Sequence, residues 1–145
     1  MKKAKLLPYK DFKYIYEKVP RLCVDLVIKS GSGIVLAKRD ITPAKGYWHF
    51  PGGTILFNEN ITDTANRVAA YEVGLKIKII KTLGIIDYSS KVAFGHSFSI
   101  VLLVEPLSNN LSGSDQGKEV SYFKSIPPKT ILEQVNFLKE HKLLS

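Results

Sequence analysis

The residues best suited to chemistry are strung along one short stretch, Pro51 to Leu75, with the sequence PGGTILFNENITDTANRVAAYEVGL. Gly53 is followed after five residues by Glu59, after seven more by Arg67 and after four more by Glu72. Gly74 and the apolar Leu75 close the series. Two carboxylates and a guanidinium carried on a loop and an adjoining helix can build an ion or phosphate site. Gly52 and Gly53 let the backbone approach a ligand closely. From Thr62 to Val73 the pattern is helical. Thr62 is the expected N-cap, Asp63 sits in the first turn where a carboxylate suits the helix dipole, and Gly74 stands where a terminating glycine belongs.

This spacing resembles the Nudix box, G-x5-E-x7-R-E-U-x-E-E-x-G-U, where U is a bulky apolar residue; the matching box covers residues 53–75. Val68 and Tyr71 stand where the family carries glutamates, and Ala69 replaces a bulky residue. Positions 68, 71 and 72 share one helix face. A full box presents three carboxylates there, enough for several ions, whereas only Glu72 remains here. One carboxylate, waters and substrate phosphates still suffice for one Mg²⁺, with Mn²⁺ as the alternative. They do not suffice for a cluster of ions.

The stretches LCVDLVI and LAKRDITPAKGYWHFPGG, with this reduced box, resemble the GDP-mannose mannosyl hydrolase branch of the Nudix superfamily over about residues 20–123. That branch keeps the Gly, Glu, Arg and last Glu of the box and cleaves a carbon–oxygen bond at the anomeric carbon of a nucleotide sugar. The resemblance implies an α+β fold, an α/β/α sandwich with a mixed, curved sheet between the box helix and a C-terminal helix. It implies that Gly53, through its carbonyl, Glu72 and Gln116 hold the metal. It places Arg39 beside the leaving diphosphate, Asp25 on substrate, and Glu59 against Arg67 as a brace, with Arg67 also free to meet a phosphate. Gly52 and Gly74 are structural parts of the box. Thr54 is a departure, because the branch has arginine there and one phosphate contact is lost.

The branch's general base is a histidine in the loop before the last strand, and that position falls on Gly117, which cannot take a proton. Asp115 or Glu119 in the same loop could activate water instead, or His96 in the neighbouring strand could enter the site. Otherwise the chain binds nucleotide without efficient turnover. His49 could be a ligand, but a lone histidine beside a turn is more often a surface residue, and His141, at a helix C-terminus, carries no catalytic assignment.

The chain has 145 residues, 45% hydrophobic and 23% charged, which suits one domain, residues 1–145, with a helical extension over 1–19. No apolar run is long enough to span a bilayer and the N-terminus has no uninterrupted apolar segment, so a cytoplasmic protein without membrane contact is expected. Cys23 is the only cysteine and reads as a buried small hydrophobe. The net charge is +8, but only Arg21, Arg39 and Arg67 are arginines and the lysines are scattered. A nucleic-acid partner is therefore the weakest reading. A nucleotide-sugar hydrolase is the leading one, and a nucleotide-binding module without catalysis is the second.

The elements that must position these groups follow from periodicity. Pro8–Lys18 reads as an amphipathic helix, which the resemblance assigns to a homodimer contact. Arg21–Lys29 alternates with both faces apolar, a central strand in which Asp25 is the odd residue, either half of a nearby ion pair or capped turn or a substrate contact. Ser30–Gly33 is a turn into a returning strand, Ile34–Arg39. Tyr47–Phe50, Lys76–Asp87, His96–Glu105 and Glu119–Phe123 read as further strands, and Ser108–Lys118 as a polar loop. A final helix over Thr130–His141 should turn Ile131, Val135 and Leu138 to the core.

Overall fold

The central strand is β1 (Arg21–Ser30), and the computed structural model, which describes residues 5–42, 44–89, 95–114 and 119–145, builds the sheet around it. Leu26 and Val27 are both fully buried, so the strand is covered on both faces as its continuous apolar run requires. Around it stand β2 (Gly33–Lys38), β3 (Trp48–His49), β4 (Gly52–Thr54), β5 (Ile77–Tyr88), β6 (Ser97–Pro106) and β7 (Glu119–Phe123). The order is β3-β2-β1-β6-β5, with β4 added to β1 and β7 to β2. β1 runs parallel to β6 from Arg21↔Ser97 to Ile28↔Val104, and the other pairings are antiparallel. The sheet is mixed, as expected.

Alternation along β1 assigns its two faces. Val24, Leu26 and Ile28 join Ala65, Val68, Ala69 and Val73 in one core cluster, under α2 (Ile61–Val68). Val27 joins Phe50, Val101, Phe137 and Leu138 in the other, under α3 (Leu132–Glu140). The sheet thus lies between the box helix and the C-terminal helix. Arg21, Cys23 and Asp25 lie on the α3 side of the alternation. A third helix, α1 (Tyr9–Tyr16), precedes the sheet and buries none of its residues.

Several local expectations shift. The N-cap of α2 is Asn60, not Thr62. Asn60 Oδ1 accepts the Asp63 amide at 2.7 Å and Asp63 Oδ2 accepts the Asn60 amide at 3.2 Å, a reciprocal capping box. After Val68 the helix widens into a π-type turn, Ala69–Val73, and stops at Gly74, whose φ is 69°. In α3 the buried residues are Gln134, Phe137 and Leu138, whereas Ile131 and Val135 are only partly covered. The glycine turn at 52–54 is itself a strand. No helix among the described residues is long and apolar enough to cross a membrane.

Candidate active site

A cleft of about 480 Å³ opens where β1, β4 and the box helix meet. Asp25, Arg39, Gly52, Gly53, Arg67 and Glu72 all line it, so the strand, hairpin and box residues expected at the site converge there. Val68 and Tyr71, at the two positions that lack box glutamates, line the same wall. Val68 packs closely over Gly53, where an added Cβ would stand 3.1 Å from Val68 Cγ2. A longer polar side chain at 68 would change this floor as well as its charge.

Glu59 and Arg67 form the brace. Arg67 Nε donates to Glu59 Oε2 at 2.7 Å and Nη2 donates to Oε1 at 2.9 Å. Arg67 Nη2 also donates to the Thr54 carbonyl at 2.8 Å. The Leu56 amide and the Thr64 hydroxyl complete the shell around Oε1. Arg67 is therefore occupied in tying the loop to the helix. Its guanidinium is the main reason the Glu59 carboxyl is held down at about 2, from an ordinary 4.5. Glu59→Gln should lower stability at pH 7 by about 2 kcal/mol, since a charge-assisted bond is lost. A depressed carboxyl stabilises above the unfolded value and loses that contribution as pH falls through the folded one. The gap in urea midpoint between variant and parent should accordingly close between pH 4.5 and 2.

Asp25 is buried, and a chain of hydrogen bonds from α3 holds it. Tyr88 donates its hydroxyl to Asp25 Oδ2 at 2.6 Å, and Gln134 Nε2 donates to that hydroxyl oxygen at 2.8 Å. The Phe50 amide donates to Gln134 Oε1 at 2.6 Å. Burial pushes the Asp25 carboxyl up to about 6, against the opposing hydrogen bonds of Tyr88 and Ser99 and the charge of Arg21. Gly52 pairs with Asp25 across the sheet, and any Cβ at 52 would collide with Asp25 Oδ1. The glycine is thus required by the carboxylate beside it. Tyr88 and Gln134 escaped the sequence reading because nothing in a strand tyrosine or a helix glutamine marks a partner more than forty residues away.

Glu72 is half-buried, and burial pushes its carboxyl up to about 7, although Arg39 opposes this. Burial likewise lowers the pKa of Arg39, which Glu72 holds up and Arg21 pushes down. No group of three or more His, Cys, Asp or Glu able to hold a metal occurs among the described residues. Glu72, beside the open cleft, is a carboxylate that a divalent cation could share with substrate oxygens.

The candidates for proton acceptor separate. His96 Nε2 lies 3.0 Å from Asp87 Oδ1 and its ring packs on Phe98; it is not among the cleft residues. Glu119 opens β7, paired with exposed Lys38 at 3.5 Å, and it too is outside the cleft lining. Asp115, Gln116 and Gly117 lie outside the described residues. His49, read as a surface residue, lines the cleft instead. Its Nδ1 donates to the Phe50 carbonyl at 2.7 Å, leaving Nε2 as an acceptor, and burial lowers its pKa to about 4. Cys23 is buried, as expected, and its thiol pKa is raised by burial.

Comparison with known proteins agrees with this fold. A family model described as NUDIX domain matches residues 19–143. An ADP-ribose pyrophosphatase of Methanocaldococcus jannaschii is 28% identical over 139 residues, 94% of this chain and 82% of that protein. The low-salt glycan biosynthesis protein Agl8 of Haloferax volcanii is 39% identical over 82 residues, 57% of this chain; the match spans only about half, 53%, of that protein's length. The crystal structure of a MutT NUDIX hydrolase from Burkholderia pseudomallei superposes with a TM-score of 0.73 at 22% identity, covering 84% of this chain and 98% of that one, a likeness of fold.

Proposed function

The chain belongs to the Nudix family, and on that premise we propose that it hydrolyses a nucleoside diphosphate linked to a sugar, by attack of water at the sugar's anomeric carbon. The observation that carries this reading is the charge inventory of the cleft. It has one carboxylate at the box helix, Glu72, with Arg39 beside it, where a full box would present three carboxylates. Such a site is suited to stabilising a leaving diphosphate more than to assembling several ions around an attacked phosphorus. The relative named as an ADP-ribose pyrophosphatase favours a nucleoside diphosphate linked to a sugar as the substrate class.

Glu72, with the Gly53 carbonyl and Gln116, would hold one Mg²⁺ or Mn²⁺, and that ion would neutralise charge on the diphosphate as it departs. Arg39 grips diphosphate oxygens and gains in strength as negative charge grows on them. Asp25, fixed by Tyr88 and Gln134, accepts hydrogen bonds from the substrate. In the step itself the water oxygen bonds to the anomeric carbon. The bond from that carbon to the diphosphate oxygen breaks, and its electron pair leaves with the diphosphate. The water proton passes to a general base, for which Asp115 and the cleft-lining His49 are the first candidates, with Glu119, paired to Lys38 outside the cleft, behind them. Asp115→Asn, Glu119→Gln and His49→Gln are expected to differ, with one of them losing turnover by about a hundredfold while still binding substrate.

The test is incubation of the purified chain and Mg²⁺ with GDP-mannose, other nucleotide sugars, ADP-ribose and nucleoside triphosphates, with products identified. Free sugar plus nucleoside diphosphate supports the proposal, and nucleoside monophosphate contradicts it. The second reading, a binding module, is favoured by the single cleft carboxylate at the box; tight nucleotide binding with no product after long incubation would establish it.

A further inference from the structure

The arginines of this chain are three among 21 basic residues, and all three line the one cleft. Arg67 is committed to Glu59 and the Thr54 carbonyl. Arg39 feels the charge of Glu72. Arg21 forms no ion pair among the described residues, and the carboxyl that feels its charge is the buried Asp25. It opens β1, two residues before Cys23 and four before Asp25, and all three line the cleft. Its Nη1 donates to Thr54 Oγ1 at 3.2 Å, and its guanidinium carbon lies 5.3 Å from the centre of the Phe12 ring. These two contacts hold the planar group in place.

Among the described residues, Arg21 Nε is the buried side-chain polar atom with no hydrogen-bond partner. Nε itself is shut off from the cleft, so an arriving anion would meet the outer nitrogens of this partly exposed, cleft-lining guanidinium, whose one hydrogen bond among the described residues is that to Thr54. Arg21 and Arg39 also feel each other's charge across the cleft. Two guanidinium groups facing one space repel until an anion lies between them. A diphosphate has enough oxygens to engage both, and the guanidinium fork suits paired oxygens better than an ammonium does.

We propose that Arg21 is a second anion-binding residue of this cleft, which takes an oxygen of the substrate's diphosphate on the side of Thr54 and Phe12, opposite the grip of Arg39. This rests on the nucleoside-diphosphate reading above and adds to it a named contact. Arg21 thereby selects for a substrate with two adjacent phosphates over one with a single phosphate. Thr54 is the positioning residue, because its hydroxyl fixes the orientation of the guanidinium.

The proposal is tested by calorimetric titration of the full chain in Mg²⁺ with inorganic pyrophosphate, with inorganic phosphate and with guanosine. In Arg21→Gln, pyrophosphate should bind about 10- to 100-fold more weakly, as expected for loss of a charge-assisted contact, with guanosine unchanged. Arg21→Lys, which keeps the charge without the fork, should lie between and provides the answer if the glutamine variant does not fold. Moving the arginine, in Arg21→Gln/Thr54→Arg, should recover most of the pyrophosphate affinity; a purely structural Arg21 would show no such recovery. Pyrophosphate binding that is unchanged in Arg21→Lys, and in Arg21→Gln where it folds, overturns the proposal. If the wild-type chain binds neither pyrophosphate nor any nucleotide sugar, the functional reading itself falls, and the role of Arg21 with it.

Discussion

Glu72→Gln is expected to reduce turnover by about a thousandfold or more while leaving the protein folded. Glu72 is the one acidic side chain that the box helix offers to the cleft, since Val68 and Tyr71 occupy the neighbouring places. Glutamine has nearly the same shape but carries no charge to hold a divalent cation. Loss of several kcal/mol of charge stabilisation in the transition state corresponds to roughly three powers of ten in rate. The fold should not suffer. Burial works against the charged form of this carboxyl and raises it to about 7, so the ionised side chain is a cost in the metal-free protein. The checks are kcat across a Mg²⁺ titration and a thermal melt in chelator. Unchanged metal dependence would mean that the cation is held elsewhere.

Asp25→Asn should separate function from stability most sharply. Activity is expected to fall about a hundredfold, because a buried carboxylate that faces the cleft is replaced by an amide that also donates. Stability at pH 8 is expected to rise by about 1–3 kcal/mol. The sign follows from the direction of the shift. Burial raises the Asp25 carboxyl from 3.8 to about 6, so the folded state holds its proton more tightly than the unfolded state does. The native protein therefore loses stability as pH rises from about 4 to 6. The asparagine variant escapes that loss, and the two proteins should converge below pH 4. Urea denaturation of both at pH 3.5 and pH 8, in chelator, reads the difference. A variant less stable at pH 8 would mean that the Tyr88 and Ser99 hydrogen bonds outweigh the burial of charge.

The sequence carried the box, the two-faced central strand and the mixed sheet because each depends on local spacing. The alternation of Leu22–Ile28 and the apolar stripe of the box helix are short-range patterns that only a buried strand and a packed helix satisfy. The cap of α2 was misplaced by two residues because Asn60 and Thr62 both suit an N-cap; the reciprocal bond with Asp63 decides for Asn60. The support of Asp25 was not legible. Its partners Tyr88 and Gln134 lie on β5 and α3, and only the closed fold brings them to it. His49 looked like a surface residue because the turn beside it suggested exposure, yet its side chain lines the cleft. The arginine absent at Thr54 read as a lost phosphate contact. Arg21 reaches that very side chain from a different strand, which the linear spacing of the box cannot express.

The most direct test of the central claim is hydrolysis of GDP-mannose in water enriched in oxygen-18, with Mg²⁺ and the full chain, reading the label on the phosphate-containing products. Attack at the anomeric carbon leaves the nucleoside diphosphate unlabelled, and that is the expected result. Oxygen-18 in a nucleoside monophosphate or a sugar phosphate would place the attack at phosphorus and contradict the account.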